Sequence, residues 1–488
     1  MNYSMIRHTL GWIMLFESMF FAVPLITAAV YAEWSTAFVA FIISAAISLA
    51  LGLACTARKP SDNTIYAKEG FVIVSLSWIV LSLLGSLPLA IYFLMESRAD
   101  YSFMDAFFET VSGFTTTGSS IFYNGVEWLP KSVLMWRSFT HWVGGMGVLV
   151  FVMAFLPLGG GQNLHIMRAE SPGPEVSKLV PKVKNTAIIL YAIYLVMTLI
   201  LFVSLLIAKM SVFDALNTAF ATAGTGGFGF KNDSFLSCSA AQQIIVTVGM
   251  LLFSINFNSY YLMLKLKFRD AINSEVRTFI LIVIAAIALI SFNVYSQDTG
   301  MTLGETVRHV SFSVASIIST TGFSTVDFNE WLPLAKTVIV IIMFIGACAG
   351  STGGGIKVSR IIILVKGMMR ELGSIIHPKQ VKRISIDNQP LGREVVRSVN
   401  AYFGCYILMF TAALILISFD GEGLVTNFTA VTATINNIGP GLDAVGPASN
   451  FYGFSWFSKL VLSFCMLAGR LELFPMLILF TPSTWKRS

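Results

Sequence analysis

The sequence predicts an all-α polytopic membrane protein: four pseudo-repeated helix–pore-helix–helix units around one pore, plus two leading transmembrane helices. Three observations carry this. Of 488 residues, 55% are hydrophobic and only 12% charged, about half the charged share of a soluble chain. Apolar runs of spanning length recur from one end of the chain to the other. One short Thr/Gly stretch occurs four times, each between a short semi-polar segment and a long apolar run.

Ten runs are long enough to span, near 9–32, 36–56, 70–95, 131–157, 185–209, 241–265, 276–294, 334–365, 399–419 and 456–480. Four shorter segments, about 103–117, 213–226, 305–321 and 424–438, have the length of half-membrane helices. The chain then divides into leading helices 1–69 and units 70–184, 185–275, 276–398 and 399–488. The first run has Arg7 and His8 before it and Val30-Tyr-Ala32 at its end, like a signal peptide. It is too long for an h-region, and charge placement needs it as a span. With ten spans, 23 of the 32 basic residues lie on the side of both termini and seven opposite. The positive-inside rule puts that side in the cytoplasm.

The outer loops collect acids, among them Asp105, Glu109, Glu127, Asp214, Asp233, Glu305, Asp420 and Asp443. Two readings stand: ordinary polar loops, or an acidic vestibule that concentrates cations. The net charge of +6 comes without a basic tract interleaved with aromatics, so no nucleic acid is expected as a partner. The basic stretch 366–398 is too short for a domain of its own and suits contact with membrane lipid or a docking protein. The five cysteines are scattered and read as buried free thiols.

The repeated stretch is Ser112-Gly-Phe-Thr-Thr-Thr-Gly-Ser119, then Thr222-Ala-Gly-Thr-Gly-Gly-Phe-Gly229, Ile318-Ser-Thr-Thr-Gly-Phe-Ser324 and the degraded Thr434-Ile-Asn-Asn-Ile-Gly-Pro440. Asp105 precedes Gly118 by thirteen residues, as Asp214 precedes Gly227. Glu127-Trp-Leu-Pro130 is echoed by Glu330-Trp-Leu-Pro333. Irregular backbone inside a bilayer persists only where protein buries it or water lines it. Four such turns in register point to one shared aqueous path. Glycine permits positive φ and close approach, and rings of carbonyls replace the hydration shell of a cation. Each preceding half-helix aims its partially negative end at the same place.

Two further features stand out. Gly346-Ala-Cys-Ala-Gly-Ser-Thr-Gly-Gly-Gly355 interrupts the second long helix of unit three. So many glycines, at roughly 1 kcal/mol each relative to Ala, do not hold a straight helix. Lys357 is wrongly placed for a phosphate loop, and close helix packing is the plain alternative. Arg470 lies at membrane depth, where a charge is costly and defaults to a functional reading. Glu472, two residues on, does not share its helix face. Aligning the repeats on Lys336 and Lys459 puts Arg470 level with the glycine-rich stretch, beneath the turns. The alternative is a structural ion pair between helices. The isolated histidines, Arg137 and His141 among them, form no catalytic set, and no nucleotide fingerprint occurs.

These motifs resemble the pore units of the superfamily of K⁺ transporters, and most of all the Trk-type potassium uptake transmembrane subunits (TrkH-like). The likeness covers nearly the whole chain and includes Arg168-Ala-Glu-Ser-Pro-Gly-Pro174 and Lys178-Leu-Val-Pro181. It implies a K⁺ selectivity filter made by the backbone carbonyls of Thr116, Thr117, Gly118, Thr225, Gly226, Gly227, Thr320, Thr321, Gly322, Asn437, Ile438 and Gly439. Copy four lacks the Thr-Thr pair, which implies an asymmetric filter. The resemblance makes Gly346, Gly350, Ser351, Thr352, Gly353, Gly354 and Gly355 an intramembrane gate, with Arg470 a pore-lining charge that contacts it. It implies gated K⁺ uptake across a bacterial inner membrane, a homodimer, and a cytoplasmic nucleotide-binding regulatory subunit (TrkA-like). No catalytic residues and no cofactor in this chain are expected; K⁺ is the bound and transported ion. The alternatives are an H⁺- or Na⁺-coupled symporter on the same scaffold, the potassium-translocating subunit of a P-type pump, and, from another class, a membrane-embedded enzyme or receptor.

Overall fold

The computed structural model describes residues 1–60, 66–147, 183–296, 300–378, 383–387 and 389–485. The architecture is all-α apart from one two-stranded antiparallel hairpin, β1 (Ser385–Ile386) with β2 (Gln389–Pro390). In chain order the main helices are α1 (Tyr3–Phe20), α2 (Ala22–Val30), α3 (Thr36–Thr56), α4 (Ala67–Gly85), α5 (Leu87–Met95), α6 (Phe103–Phe114) and α7 (Lys131–Gly145). Then follow α8 (Val183–Ile207), α9 (Val212–Ala223), α10 (Ala240–Phe253), α11 (Phe257–Leu264), α12 (Ser274–Tyr295) and α13 (Leu303–Ile318). The last six are α14 (Pro333–Ile345), α15 (Val358–Ile376), α16 (Arg393–Ile417), α17 (Leu424–Ile435), α18 (Trp456–Arg470) and α19 (Phe474–Leu479).

Among the described residues, six helical stretches are long and apolar enough to cross a membrane: Tyr3–Val30, Thr36–Thr56, Ala67–Met95, Ala187–Ile207, Ser274–Tyr295 and Arg393–Asp420. The pair α10–α11 makes a seventh, bent by 91°. Of the ten predicted spans, three remain. The 131–157 run is α7 up to Gly145, and 148–157 lie outside the described residues, as do the Arg168–Pro174 and Lys178–Pro181 motifs. The 334–365 run breaks between α14 and α15 at the glycine-rich stretch, as its composition predicts.

The 241–265 and 456–480 runs, expected to be continuous, also break. At the first, Asn256 accepts a hydrogen bond from the N–H of Asn258 and starts α11 on a new axis. At the second, Glu472 and Leu473 adopt φ of 61° and 65°, and Pro475 near the start of α19 cannot continue the ladder. In the basic stretch 366–398, α15 runs to Ile376, the hairpin lies beyond it and α16 begins at Arg393. Lys366 Nζ donates to the Ser385 carbonyl at 2.7 Å and holds the hairpin against α15.

The leading helices pack backbone to backbone. A Cβ on Gly52 of α3 would lie 3.0 Å from the Gly11 carbonyl of α1, the close approach that small residues allow between membrane helices. The four short helices are α6, α9, α13 and α17. Three start with side-chain caps: Ser102 with Asp105, Ser211 ahead of Asp214, and Thr302 with Glu305. The thirteen-residue Asp–Gly spacing is thus set by a capping position. Each helix ends about three residues before the sequence predicts, because those residues form the turn itself.

Candidate functional site

All four short helices end in one motif. Their closing residues are Thr115, Gly224, Ser319 and Asn436. The next residue turns left-handed: Thr116, Thr225, Thr320 and Asn437 have φ of 55°, 54°, 61° and 55°. The N–H after that reaches five residues back. Thr117 donates to Ser112 at 2.9 Å, Gly226 to Ala221 at 2.8 Å, Thr321 to Ser316 at 2.8 Å and Ile438 to Ala433 at 2.9 Å. This is a Schellman-type helix ending with threonine or asparagine where glycine is usual. Gly118, Gly227, Gly322 and Gly439 follow with φ of 85°, 80°, 90° and 98°. Copy four, degraded in sequence, keeps the conformation because asparagine tolerates the left-handed region.

The turns close a ring. A Cβ on Gly118 would lie 2.2 Å from the Gly226 carbonyl oxygen, on Gly227 1.8 Å from that of Thr321, on Gly322 2.3 Å from that of Ile438, and on Gly439 2.8 Å from that of Thr117. The order is one to two, two to three, three to four, and four back to one. Asn437 Nδ2 donates to Thr117 Oγ1 at 2.9 Å, and Ser119 Oγ to the Gly439 carbonyl at 3.0 Å, at the closing seam. All twelve predicted turn residues are therefore brought together about one axis, with four non-identical contributions.

Behind the ring lie residues that sequence reading set aside. His141 Nδ1 meets the Gly113 carbonyl at 2.7 Å, and the Phe228 N–H donates to its Nε2 at 3.2 Å. A Cβ on Gly226 would fall 2.1 Å from the His141 ring. Copy two carries glycine in place of threonine because the imidazole fills that space. Arg137 pairs with Glu109 at 2.8 Å, both buried, and also donates to the Gly229 carbonyl. That pair joins the first turn to the second. No local motif marks either residue; only their depth in a span hints at a role.

Outside the ring, a cavity of about 300 Å³ is lined by Ser, Asn, Gly, small apolar and aromatic residues with Arg137 and Lys231, and, among the described residues, by no carboxylate. The acidic-vestibule reading therefore fails at the ring's mouth. The acids serve as caps and ties: Asp105 accepts from Lys459 Nζ, Asp420 from Ser455, Asp443 from Thr426, and Glu127 from the Asn232 N–H.

Directly inside the ring sits the glycine-rich loop. Gly354 N–H donates to Thr320 Oγ1 at 2.6 Å, and a Cβ on Gly354 would lie 2.3 Å from the Asn436 carbonyl. Gly346, Gly350 and Gly355 take φ of 72°, 71° and 81°. Ser351, Thr352, Gly353 and Gly354 are buried. Thr352 donates to the Phe253 carbonyl at the α10 break, and Phe257 N–H to that of Gly350. Glu275 Oε1 accepts from Ala349 N–H at 2.8 Å and Ser359 N–H at 3.0 Å, clamping both flanks of the loop. Lys357, at a strained φ of 82°, donates from Nζ to the Gly353 carbonyl. Lys357 and Arg360, expected among cytoplasmic loop charges, are 2% and 5% exposed.

Arg470 ends α18 at this level. It donates to the Thr352 carbonyl at 2.7 Å, to those of Gly144 and Gly145 at 2.6 Å each, and to Thr116 Oγ1 at 3.3 Å. It thus touches the loop, the end of α7 and the first turn together. Glu472 pairs instead with Arg360. Four helices stop here: α7 at Gly145, α10 at Phe253, α14 at Ile345 and α18 at Arg470. Their carbonyl ends give the layer a partial negative charge that the guanidinium meets.

Comparison with known proteins agrees with this architecture. The TrkH family model, described as a cation transport protein, matches residues 35–487. The chain is 34% identical to the Trk system potassium uptake protein TrkH of Halomonas elongata and 34% to that of Escherichia coli K12, covering 100% of each chain in both cases. It is 31% identical to the Escherichia coli K12 Trk system potassium uptake protein TrkG, again over 100% of both. The crystal structure of the potassium transporter TrkH from Vibrio parahaemolyticus superposes with a TM-score of 0.88 at 32% identity, covering 100% of both chains.

Proposed function

Because this chain belongs to the TrkH family of cation transport proteins, we propose that it is the membrane subunit of a potassium uptake system, admitting K⁺ through a gated, selective pore. The observation that carries the reading is the closed ring of four turns, in which each glycine abuts the next turn's carbonyl. Carbonyls so arranged suit a dehydrated monovalent cation. In this reading the twelve turn residues are the filter, Gly346–Gly355 is the gate beneath it, and Arg470 is the charge that couples the two. The units 70–184, 185–275, 276–398 and 399–488 each supply one quarter.

The Trk relatives named above, from Halomonas elongata and Escherichia coli, and the apolar spans support the cell setting. The chain is assigned to a bacterial inner membrane with both termini cytoplasmic. A homodimer and a TrkA-like cytoplasmic nucleotide-binding subunit complete the proposed system.

The test is ⁸⁶Rb⁺ uptake by liposomes holding the purified full chain. Uptake driven by a K⁺ gradient alone, and competed by K⁺ far better than by Na⁺, is expected. Uptake that requires an imposed H⁺ or Na⁺ gradient would overturn the pore reading.

A further inference from the structure

A cleft of about 890 Å³ opens between the far end of α15, the β1–β2 hairpin and the start of α16. Four arginines line it: Arg370, Arg383, Arg393 and Arg397. Only Arg370 has a carboxylate partner, Glu371; among the described residues the other three form no ion pair. Like charges gathered around one concavity repel unless an anion joins them. Gly392 and Arg393, which open the 25-residue α16, also line the cleft, and Gly392 offers no side-chain cap. The first N–H groups of α16 therefore add positive potential to the same place.

The cleft does not stop at its arginines. Arg393, Arg397, Asn400, Gly404 and Ile407 recur at the spacing of one helix face. Asn400 still lines the cleft. At Gly404 nothing lies within 4 Å of where a side chain would be, and Ile407 and the adjoining Leu408 are 47% and 73% exposed. The stretch Arg393–Asp420 has the length and hydropathy of a span, so its first turns lie at headgroup depth and the apolar part of the face meets lipid. A cationic cup therefore leads onto an exposed apolar helix face.

We propose that this cleft binds an anionic glycerophospholipid, with the phosphodiester among Arg383, Arg393 and Arg397 and one acyl chain along Gly404, Ile407 and Leu408. Basic pockets between membrane helices on the cytoplasmic side recognise such headgroups. A free phosphate satisfies the arginines but leaves the adjoining apolar face uncovered, and that difference favours the lipid. The site is separate from the ring and loop and does not depend on what the pore conducts.

The experiment is native mass spectrometry of the full chain in detergent, titrated with phosphatidylglycerol and, separately, phosphatidylcholine. Phosphatidylglycerol is expected to bind at least about tenfold more tightly. Each of Arg383→Gln, Arg393→Gln and Arg397→Gln should weaken it about fivefold. Gly404→Trp keeps every charge but puts an indole where the acyl chain would lie on the helix face, and should weaken lipid binding as well. Equal binding of both lipids, or phosphatidylglycerol binding unchanged in the triple arginine variant, overturns the proposal. Displacement by inorganic phosphate at the lipid's own concentration also overturns it and assigns the cup to a soluble anion. Thermal unfolding of each variant in detergent confirms that the compared proteins are folded.

Discussion

Gly118 meets two demands at once. Its φ of 85° suits glycine, and its missing side chain leaves room for the Gly226 carbonyl, which would lie 2.2 Å from a Cβ. A left-handed conformation costs another residue about 1–2 kcal/mol, the same at all four positions. What differs is the clash. Gly118→Ser should push the neighbouring carbonyl from the ring and lower the K⁺/Na⁺ flux ratio, measured as ⁸⁶Rb⁺ against ²²Na⁺ uptake. In an alanine series Gly227, with 1.8 Å of room, should suffer most and Gly439, with 2.8 Å, least. An unchanged ratio in conducting Gly118→Ser protein would remove that residue from the filter. If Arg470 acts by charge as proposed, a cation at ~4 Å is repelled by about 1 kcal/mol in water and about 4 at an effective dielectric of ~20. Arg470→Gln should raise K⁺ flux per folded protein. Arg470→Lys should stay nearer the parent, although it lacks the fork that reaches Gly144, Gly145 and Thr352 together. Lower normalised flux in Arg470→Gln would leave Arg470 a strut between helices.

At the scale of elements, the loop is tied to its neighbour. Glu275 is 7% exposed, and one of its oxygens accepts from the loop N–H of Ala349 and from the Ser359 N–H in the first turn of α15. Charge-assisted bonds of this kind contribute roughly 1.5–3 kcal/mol each. Glu275→Gln should loosen the loop and Glu275→Ala should free it further, with stepwise higher basal flux in liposomes. Deletion within Gly346–Gly355 should exceed both. A folded Glu275→Ala protein with parental or lower flux would show that the loop does not limit conduction.

The same elements mark what the sequence can and cannot reveal. The ring was legible because a backbone that needs glycine at one fixed place must repeat that glycine. Its preceding left-handed residue was not, since threonine there carries no signature. The loop announced itself through five glycines, whereas the α10–α11 bend rests on Asn256, not a strong breaker, and the α18–α19 break combines the left-handed Glu472 and Leu473, which carry no signature, with Pro475, which does. Glu275 and His141 are single polar residues in apolar runs, and their partners lie far off in sequence. The outer acids misled for a related reason: a cap and a free carboxylate look alike in one dimension.

For the whole molecule, the seam between the last unit and the first matters most, because the chain there must close on itself. Lys459 Nζ meets Asp105 Oδ1 at 2.5 Å, with side chains only 7% and 6% exposed. Removing one partner of such a buried pair typically costs about 3–5 kcal/mol. Asp105→Asn should lower the thermal midpoint in detergent, Lys459→Met likewise, and the double variant should lose less than the two losses combined. Additive losses would mean that the seam is held elsewhere.

A ring drawn from one polypeptide also escapes a rule that binds assemblies of identical subunits, where every feature comes in fours. Built that way, an arginine beneath the filter would arrive four times around the axis, each copy repelling the others and all of them repelling the passing ion. Here Arg470 lies among the carbonyl ends of four different helices, while Lys357, from another unit, bonds the Gly353 carbonyl of the adjoining loop. Each quarter is free to specialise: one supplies Arg470, another the glycine-rich loop, another the histidine wedge. The breaking of symmetry within a single chain is what lets a buried cation sit at this level once, rather than in fourfold copies that repel one another.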